Sequence, residues 1–195
     1  MNFAAQSTAP TSLPRLIVVT GRPGTGKTTL SKALAAELVA CYLRIDAVET
    51  ALQVALADFG IGDLGPMDVG DVGDVGPAGY VVAHRLAASN LELGHDVVVD
   101  AVCPVPESRQ GWMDTAAAAG AQLIIFETHL SDTAEHRRRV TERRPDMPGQ
   151  RVPTWDQVTA GEWVVWDVER DGDRHLVDTS DAADAVASAL TTITT

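Results

Sequence analysis

Two cysteines, Cys41 and Cys103, are all the chain has, and they stand far apart with no CxxC spacing. A disulfide framework and a cysteine-rich zinc module are excluded, and the pair reads as free thiols in a reducing cytosol. No stretch reaches the roughly 18 consecutive apolar residues that a spanning helix needs, which excludes a membrane helix. The opening segment, MNFAAQSTAPTSLPR, lacks the charged start and long apolar run of a secretory signal. The expected location is cytoplasmic. Positive charge is also scarce: 15 Lys and Arg stand against 27 Asp and Glu, a formal net charge of −12. That balance counts against a nucleic-acid partner, whose phosphates must be neutralised by many Lys and Arg. It leaves room for a short local basic site.

What is present is enough for a packed core. A chain of 195 residues with 45% hydrophobic content buries roughly 70% of its unfolded surface and needs no metal or disulfide staple. Residues 1–14, with Pro10 and Pro14, read as a disordered lead-in to one domain over 15–195. Short apolar runs at 16–20, 41–45, 97–99, 123–126 and 175–177 read as strands, and the runs at 16–20 and 97–99 lack the alternation of a half-exposed sheet. Helical spacing appears between them, at 27–39, 47–57, 80–93, 107–119, 132–144, 156–169 and 181–190. Strand alternating with helix predicts an α/β fold: a parallel sheet with helices on both faces. Three Asp-Val-Gly units at 68–76 interrupt the pattern and read either as an acidic surface loop or as a flap over a binding site.

The sharpest signal is Gly21-Arg-Pro-Gly-Thr-Gly26-Lys27-Thr28, which fits G-x-x-x-x-G-K-[ST], the Walker A or P-loop pattern. The glycines let the backbone curl so that successive N–H groups face phosphate oxygens, and the helix that begins there adds its positive end. Lys27 reaches the β- and γ-phosphates, and the Thr28 hydroxyl ligates magnesium. The nucleotide-binding set is Gly21, Pro23, Gly24, Thr25, Gly26, Lys27, Thr28 and Thr29. No Asn/Thr-Lys-x-Asp guanine signature occurs, which favours ATP over GTP.

Such chemistry needs carboxylates at strand ends. Val97-Val-Val-Asp100 has the form of a metal-side carboxylate, though Asp also simply starts turns. Asp46 ends the second strand and faces the same sheet edge. It is the candidate to orient an acceptor hydroxyl and take its proton, or else a cap for the helix that follows. The segment His136-Arg-Arg-Arg139 with Arg143-Arg144 reads as one helix on which Arg139 and Arg143 share a face and Arg137 and Arg144 another. Arginines at such a place stabilise the charge of a transferring phosphoryl group.

With these residues in hand the chain resembles the nucleoside-monophosphate-kinase-like branch of P-loop kinases. It looks like small-molecule kinases such as gluconate kinase, chloramphenicol phosphotransferase and the kinase domain of polynucleotide kinase. The resemblance rests on GRPGTGKTT at 21–29, RIDAVETAL at 44–52, GPAGY at 76–80, VVVDAVCPV at 97–105, EHRRRVTER at 135–143 and PTW at 153–155. It implies a three-layer P-loop fold with a five-stranded parallel sheet ordered 2-3-1-4-5. It implies ATP and Mg2+, Asp46 on the acceptor side, Asp100 on the metal side, and Arg139 and Arg143 as lid residues. Arg109 matches an arginine of the subgroup that meets substrate.

The expected function is an ATP-dependent kinase acting on a hydroxyl of a small molecule: a sugar, nucleoside, antibiotic or similar metabolite. Alternatives are a polynucleotide 5′-hydroxyl kinase, against which the charge counts, a nucleotide kinase, whose phosphate acceptor Asp46 would repel, and a non-catalytic ATP-binding module.

Overall fold

The runs at 16–20 and 97–99 owe their lack of alternation to burial on both faces. In the computed structural model, which describes residues 12–59 and 77–195, the five expected strand runs form β1 (Arg15–Thr20), β2 (Cys41–Arg44), β3 (Val97–Asp100), β4 (Gln122–His129) and β5 (His175–Asp178). All pairings are parallel and the order is β2-β3-β1-β4-β5, as the resemblance implied. Leu16, Val18, Val97 and Val99 enter one core, while Ile17, Val19 and Val98 enter the other. Each such side chain, fully buried, contributes about 1.5–3 kcal/mol. A charge placed at Val18 or Val98 would have no exposed face to turn to. The Asp-Val-Gly units at 68–76 and residues 1–11 of the expected lead-in lie outside the described residues.

Among the described residues eight helices, labelled in chain order, surround this sheet: α1 (Lys27–Leu38), α2 (Ile45–Phe59), α3 (Ala78–Glu92), α4 (Pro106–Ala119), α5 (Thr133–Glu142), α6 (Trp155–Ala160), α7 (Val168–Asp171) and α8 (Ala182–Thr194). One core packs α3 and α4 through Ala83, Ala87, Leu91, Trp112 and Ala116. The other packs α1 and α8 through Leu30, Leu34, Ala185, Ala189 and Ile193. Pro106 at the first turn of α4 costs no hydrogen bond there. Asp132 caps α5 by accepting from the N–H groups of Ala134 and Glu135.

The structure departs from the sequence pattern in two places. The expected helix over 156–169 breaks: residues 168 and 169 belong to α7, and its first turns are α6. Thr154 and Gln157 close a capping box on it, and Gly161 ends it. The chain then runs extended: Val164 donates its N–H to the Pro104 carbonyl at 2.9 Å, and Trp166 Nε1 donates to the Gly172 carbonyl at 2.8 Å. Backbone pairing and an aromatic anchor override the helical spacing. The second departure is the end of α5, which stops at Glu142 and leaves Arg143 and Arg144 outside the helix. Pro145 disfavours helical backbone at residue 144, and Asp146 is drawn back to Arg44 at 2.7 Å.

Candidate active site

The turn after β1 takes its shape from glycine. Gly21, Gly24 and Gly26 have φ of 137°, 85° and 86°, values that side chains rarely adopt. Space forbids replacement as well: a Cβ on Gly24 would lie 2.5 Å from Val140 Cγ2. The loop is also tied down from other strands. Thr25 Oγ1 donates to the Arg22 carbonyl at 2.7 Å and lies 2.7 Å from Thr128 Oγ1 at the end of β4. Thr179, just past β5, donates to the Thr25 carbonyl at 2.6 Å. His136 of α5 places Nε2 2.8 Å from the Pro23 carbonyl. These bonds hold the cradle from several elements at once, and a Gly-lined loop opening a helix suits phosphate groups.

Lys27 is buried, and its Nζ donates to the Arg22 carbonyl at 3.0 Å. Burial lowers its pKa, opposed by the nearby charges of Asp100 and Asp46. Beside it, Thr28 Oγ1 donates to Asp100 Oδ2 at 2.6 Å, and Tyr42 donates to the same oxygen at 3.1 Å. A hydroxyl and a carboxylate are hard oxygen donors of the kind magnesium prefers. Magnesium normally keeps several waters and takes further ligands from substrate phosphates. Among the described residues no cluster of three His, Cys, Asp or Glu could hold a metal unaided. The pair Thr28 and Asp100 therefore fits Mg2+ held together with a nucleotide.

Asp46 lies within the first turn of α2 rather than before it. Its Oδ2 accepts from Gln150 at 2.9 Å, from Arg44 at 3.1 Å and from Arg143 at 3.5 Å. Arg44 is nearly inaccessible and pairs with Asp46, Asp100 and Asp146 together. Its residual exposure is 6%, so this guanidinium positions carboxylates and does not itself meet bulk solvent.

Two cavities meet at this point. One of about 360 Å³ runs along Gly24 and Gly26 and is lined by Lys27, Thr28, Lys32, Arg139, Arg143 and Arg144. The other, of about 160 Å³, is lined by Lys27, Thr28, Asp46, Asp100, Arg143 and Arg151. Lys27, Thr28 and Arg143 belong to both. A third cavity of about 200 Å³ continues from Gly26 and Thr29 past Arg139 to Thr179, Ser180 and Ala185. Arg139 is held there by Glu135 at 2.7 Å and by donation to the Thr179 carbonyl at 3.0 Å.

Of the expected site residues, the structure brings together the phosphate loop, Lys27, Thr28, Asp46, Asp100 and Arg143, with Arg139 on the neighbouring cavity. Arg109 is the correction. It is 1% exposed, pairs with buried Asp171 at 2.6 Å, donates to the carbonyls of Cys103, Pro104 and Val164, and stacks on Trp166. It fastens α4 to the 164–171 segment and has no face left for a substrate. Breaking such a buried pair by removing one partner costs about 3–5 kcal/mol. Arg144 is a second correction: expected on the far face from Arg139, it lines the larger cavity beside it.

Sequence reasoning missed Tyr42, Arg44, Gln150 and Arg151. Arg44 sits two residues before Asp46 and carried a signal, since a cation beside a strand-end carboxylate orients it. Gln150 and Arg151 lie in a loop whose role depends on where it folds back.

A family model described as AAA domain matches residues 16–158. No curated protein matches the sequence significantly. Among solved structures, a gluconokinase from Sinorhizobium meliloti 1021 aligns over 92% of this chain and 91% of its own, at 18% identity and a TM-score of 0.59. The APS kinase of Mycobacterium tuberculosis in complex with AMPPNP and APS aligns over 93% and 98%, at 16% identity and a TM-score of 0.56. Kti12 of Chaetomium thermophilum in complex with ADP-AlF3 aligns over 91% and 96%, at 17% identity and a TM-score of 0.59. At these identities the likeness establishes the fold.

Proposed function

Since the chain belongs to the AAA domain family and has the fold of the nucleoside-monophosphate-kinase-like P-loop kinases, we propose that it is an ATP-dependent kinase that phosphorylates a hydroxyl of a small molecule. The observation that carries this reading is the junction of two cavities at Lys27, Thr28 and Arg143. The larger cavity, continuous with the phosphate loop, takes the triphosphate. The third cavity beyond Arg139 takes the base and ribose. The smaller one, holding Asp46, takes the acceptor.

In this reading the N–H groups of the phosphate loop hold the β- and γ-phosphates. Lys27 exchanges its bond with the Arg22 carbonyl for phosphate oxygens and, with Arg143, stabilises the charge that spreads over the transferring group. Thr28 and Asp100 would hold magnesium, which would supply neutralisation of the phosphate charge. Asp46, aimed by Arg44 and Gln150, orients the acceptor hydroxyl and accepts its proton as that oxygen bonds to the γ-phosphorus and the bond from phosphorus to the β–γ bridging oxygen breaks, releasing ADP. Transfer of this kind is largely dissociative, so orientation precedes proton movement in importance.

ADP release measured against a panel of sugars, nucleosides and antibiotics tests the activity, and Asp46→Asn tests the assignment. The variant keeps the shape of the side chain but not its basicity. We expect acceptor-dependent release to fall by roughly 10² to 10⁴, the usual effect of losing a general base. Slow release without acceptor should fall far less. If both rates drop together, Asp46 serves the nucleotide or metal and the acceptor assignment fails.

A further inference from the structure

Within the smaller cavity the charges are almost all accounted for. Asp46 is held by Arg44, Gln150 and Arg143, and Asp100 by Thr28 and Tyr42 with Arg44 nearby. Lys27 and Arg143 are shared with the triphosphate cavity. Arg151 differs from them all. It lines the smaller cavity and not the larger one. It is exposed, and among the described residues it takes part in no hydrogen bond or ion pair.

Its position is imposed. Buried Gln150, the preceding residue, accepts from the Asp146 N–H at 3.0 Å and donates to Asp46 at 2.9 Å. Asp146 is itself held by Arg44. The loop is thereby nailed to the reaction centre one residue before Arg151, and Pro153 follows on the same cavity wall. Among the described residues, Arg151 therefore brings a guanidinium without a side-chain partner to the mouth of this cavity. A guanidinium is suited to a planar or tetrahedral oxyanion, to which it offers two parallel donors.

Resting on the donor and acceptor assignment above, we propose that the acceptor is a hydroxyl compound carrying an anionic group, carboxylate or phosphate, and that Arg151 binds this group. A neutral polyol would leave Arg151 facing water and gain nothing from it.

Matched sets of acceptors test this: polyols, sugars and nucleosides, each as the neutral compound, the carboxylate and the phosphate monoester, scored by acceptor-dependent ADP release. We expect release to be confined largely to the anionic members, carboxylate against phosphate identifying the group. For the best of them, Arg151→Ala should raise KM roughly tenfold to a hundredfold, the usual range for a hydrogen bond to a charged group. Arg151→Lys should regain part of the loss, because it keeps the charge but not the fork. The exposed α5 variant Arg137→Ala should leave that KM unchanged. Preference for the neutral members, or an unchanged KM in Arg151→Ala, overturns the proposal while leaving the kinase reading intact. Transfer to no hydroxyl in any set overturns both.

Discussion

Lys27 carries its role at a cost to the fold. Burial lowers its pKa, so the unfolded chain holds this proton more tightly than the folded one. The stability penalty is complete below the lowered value and is relieved as pH rises through it toward the ordinary lysine value near 10.4. Lys27→Met keeps the apolar stem and removes the buried charge. We expect a thermal midpoint higher by about 2–4 °C, as a gain of about 1 kcal/mol gives at this size, with phosphoryl transfer lowered by 10²-fold or more, an order-of-magnitude figure. A thermal melt alongside an ADP-release assay checks both. A lower midpoint would mean that the bond to the Arg22 carbonyl outweighs desolvation. Cys103 shows the opposite kind of burial. Its thiol is pushed up to about 11 by its surroundings, so it stays neutral and inert behind the loop that follows Asp100.

Among elements, α5 is tied to the phosphate loop: Val140 packs on Gly24 and His136 meets the Pro23 carbonyl. The helix ends before Arg143 and Arg144, and both line the larger cavity. Arg144→Ala should therefore raise the KM for ATP severalfold, while Arg137→Ala should not. Steady-state kinetics with varied ATP separates them, and equal losses would point to helix solubility instead. The strands were readable because unalternated Val and Ile runs admit few other solutions, and the P-loop because each position has a chemical reason. The region 156–171 was not readable. Trp163-Val-Val-Trp166 carries apolar spacing compatible with a helix, and the Pro104 carbonyl and Arg109, both remote in sequence, together with the Trp166 anchor on Gly172, select the extended form. Arg109 misled for a related reason: an arginine early in a helix near a site looks the same in sequence whether it faces the ligand or a buried Asp171. Arg151 has no signal at all until Gln150 is seen to reach Asp46.

At the scale of the whole molecule, an acidic protein encloses a basic cleft. Lys27, Lys32, Arg44, Arg139, Arg143 and Arg144 line the larger cavity against one carboxylate, Asp146, in a chain of net charge −12. Walls of low dielectric focus such a field, while the surrounding surface repels polyanions. The ratio kcat/KM for ATP should fall severalfold as ionic strength rises from about 0.05 to 0.5 M, where screening shortens from over 10 Å to under 5 Å. A single-stranded oligonucleotide should not compete with ATP near 0.15 M salt. Strong competition with a steep salt slope would favour the polynucleotide reading instead.

The loop over 145–153 has an implication for how such an enzyme changes over generations. It meets the reaction centre through two anchors, Asp146 on Arg44 and Gln150 on Asp46, whereas the phosphate loop, α5 and the end of β5 are joined to one another independently. Variation can accumulate at Arg151 and its neighbours while both anchors are inherited unchanged. On the function proposed above, a lineage built this way would exchange its acceptor by rewriting a few codons and keep its nucleotide machinery as common stock.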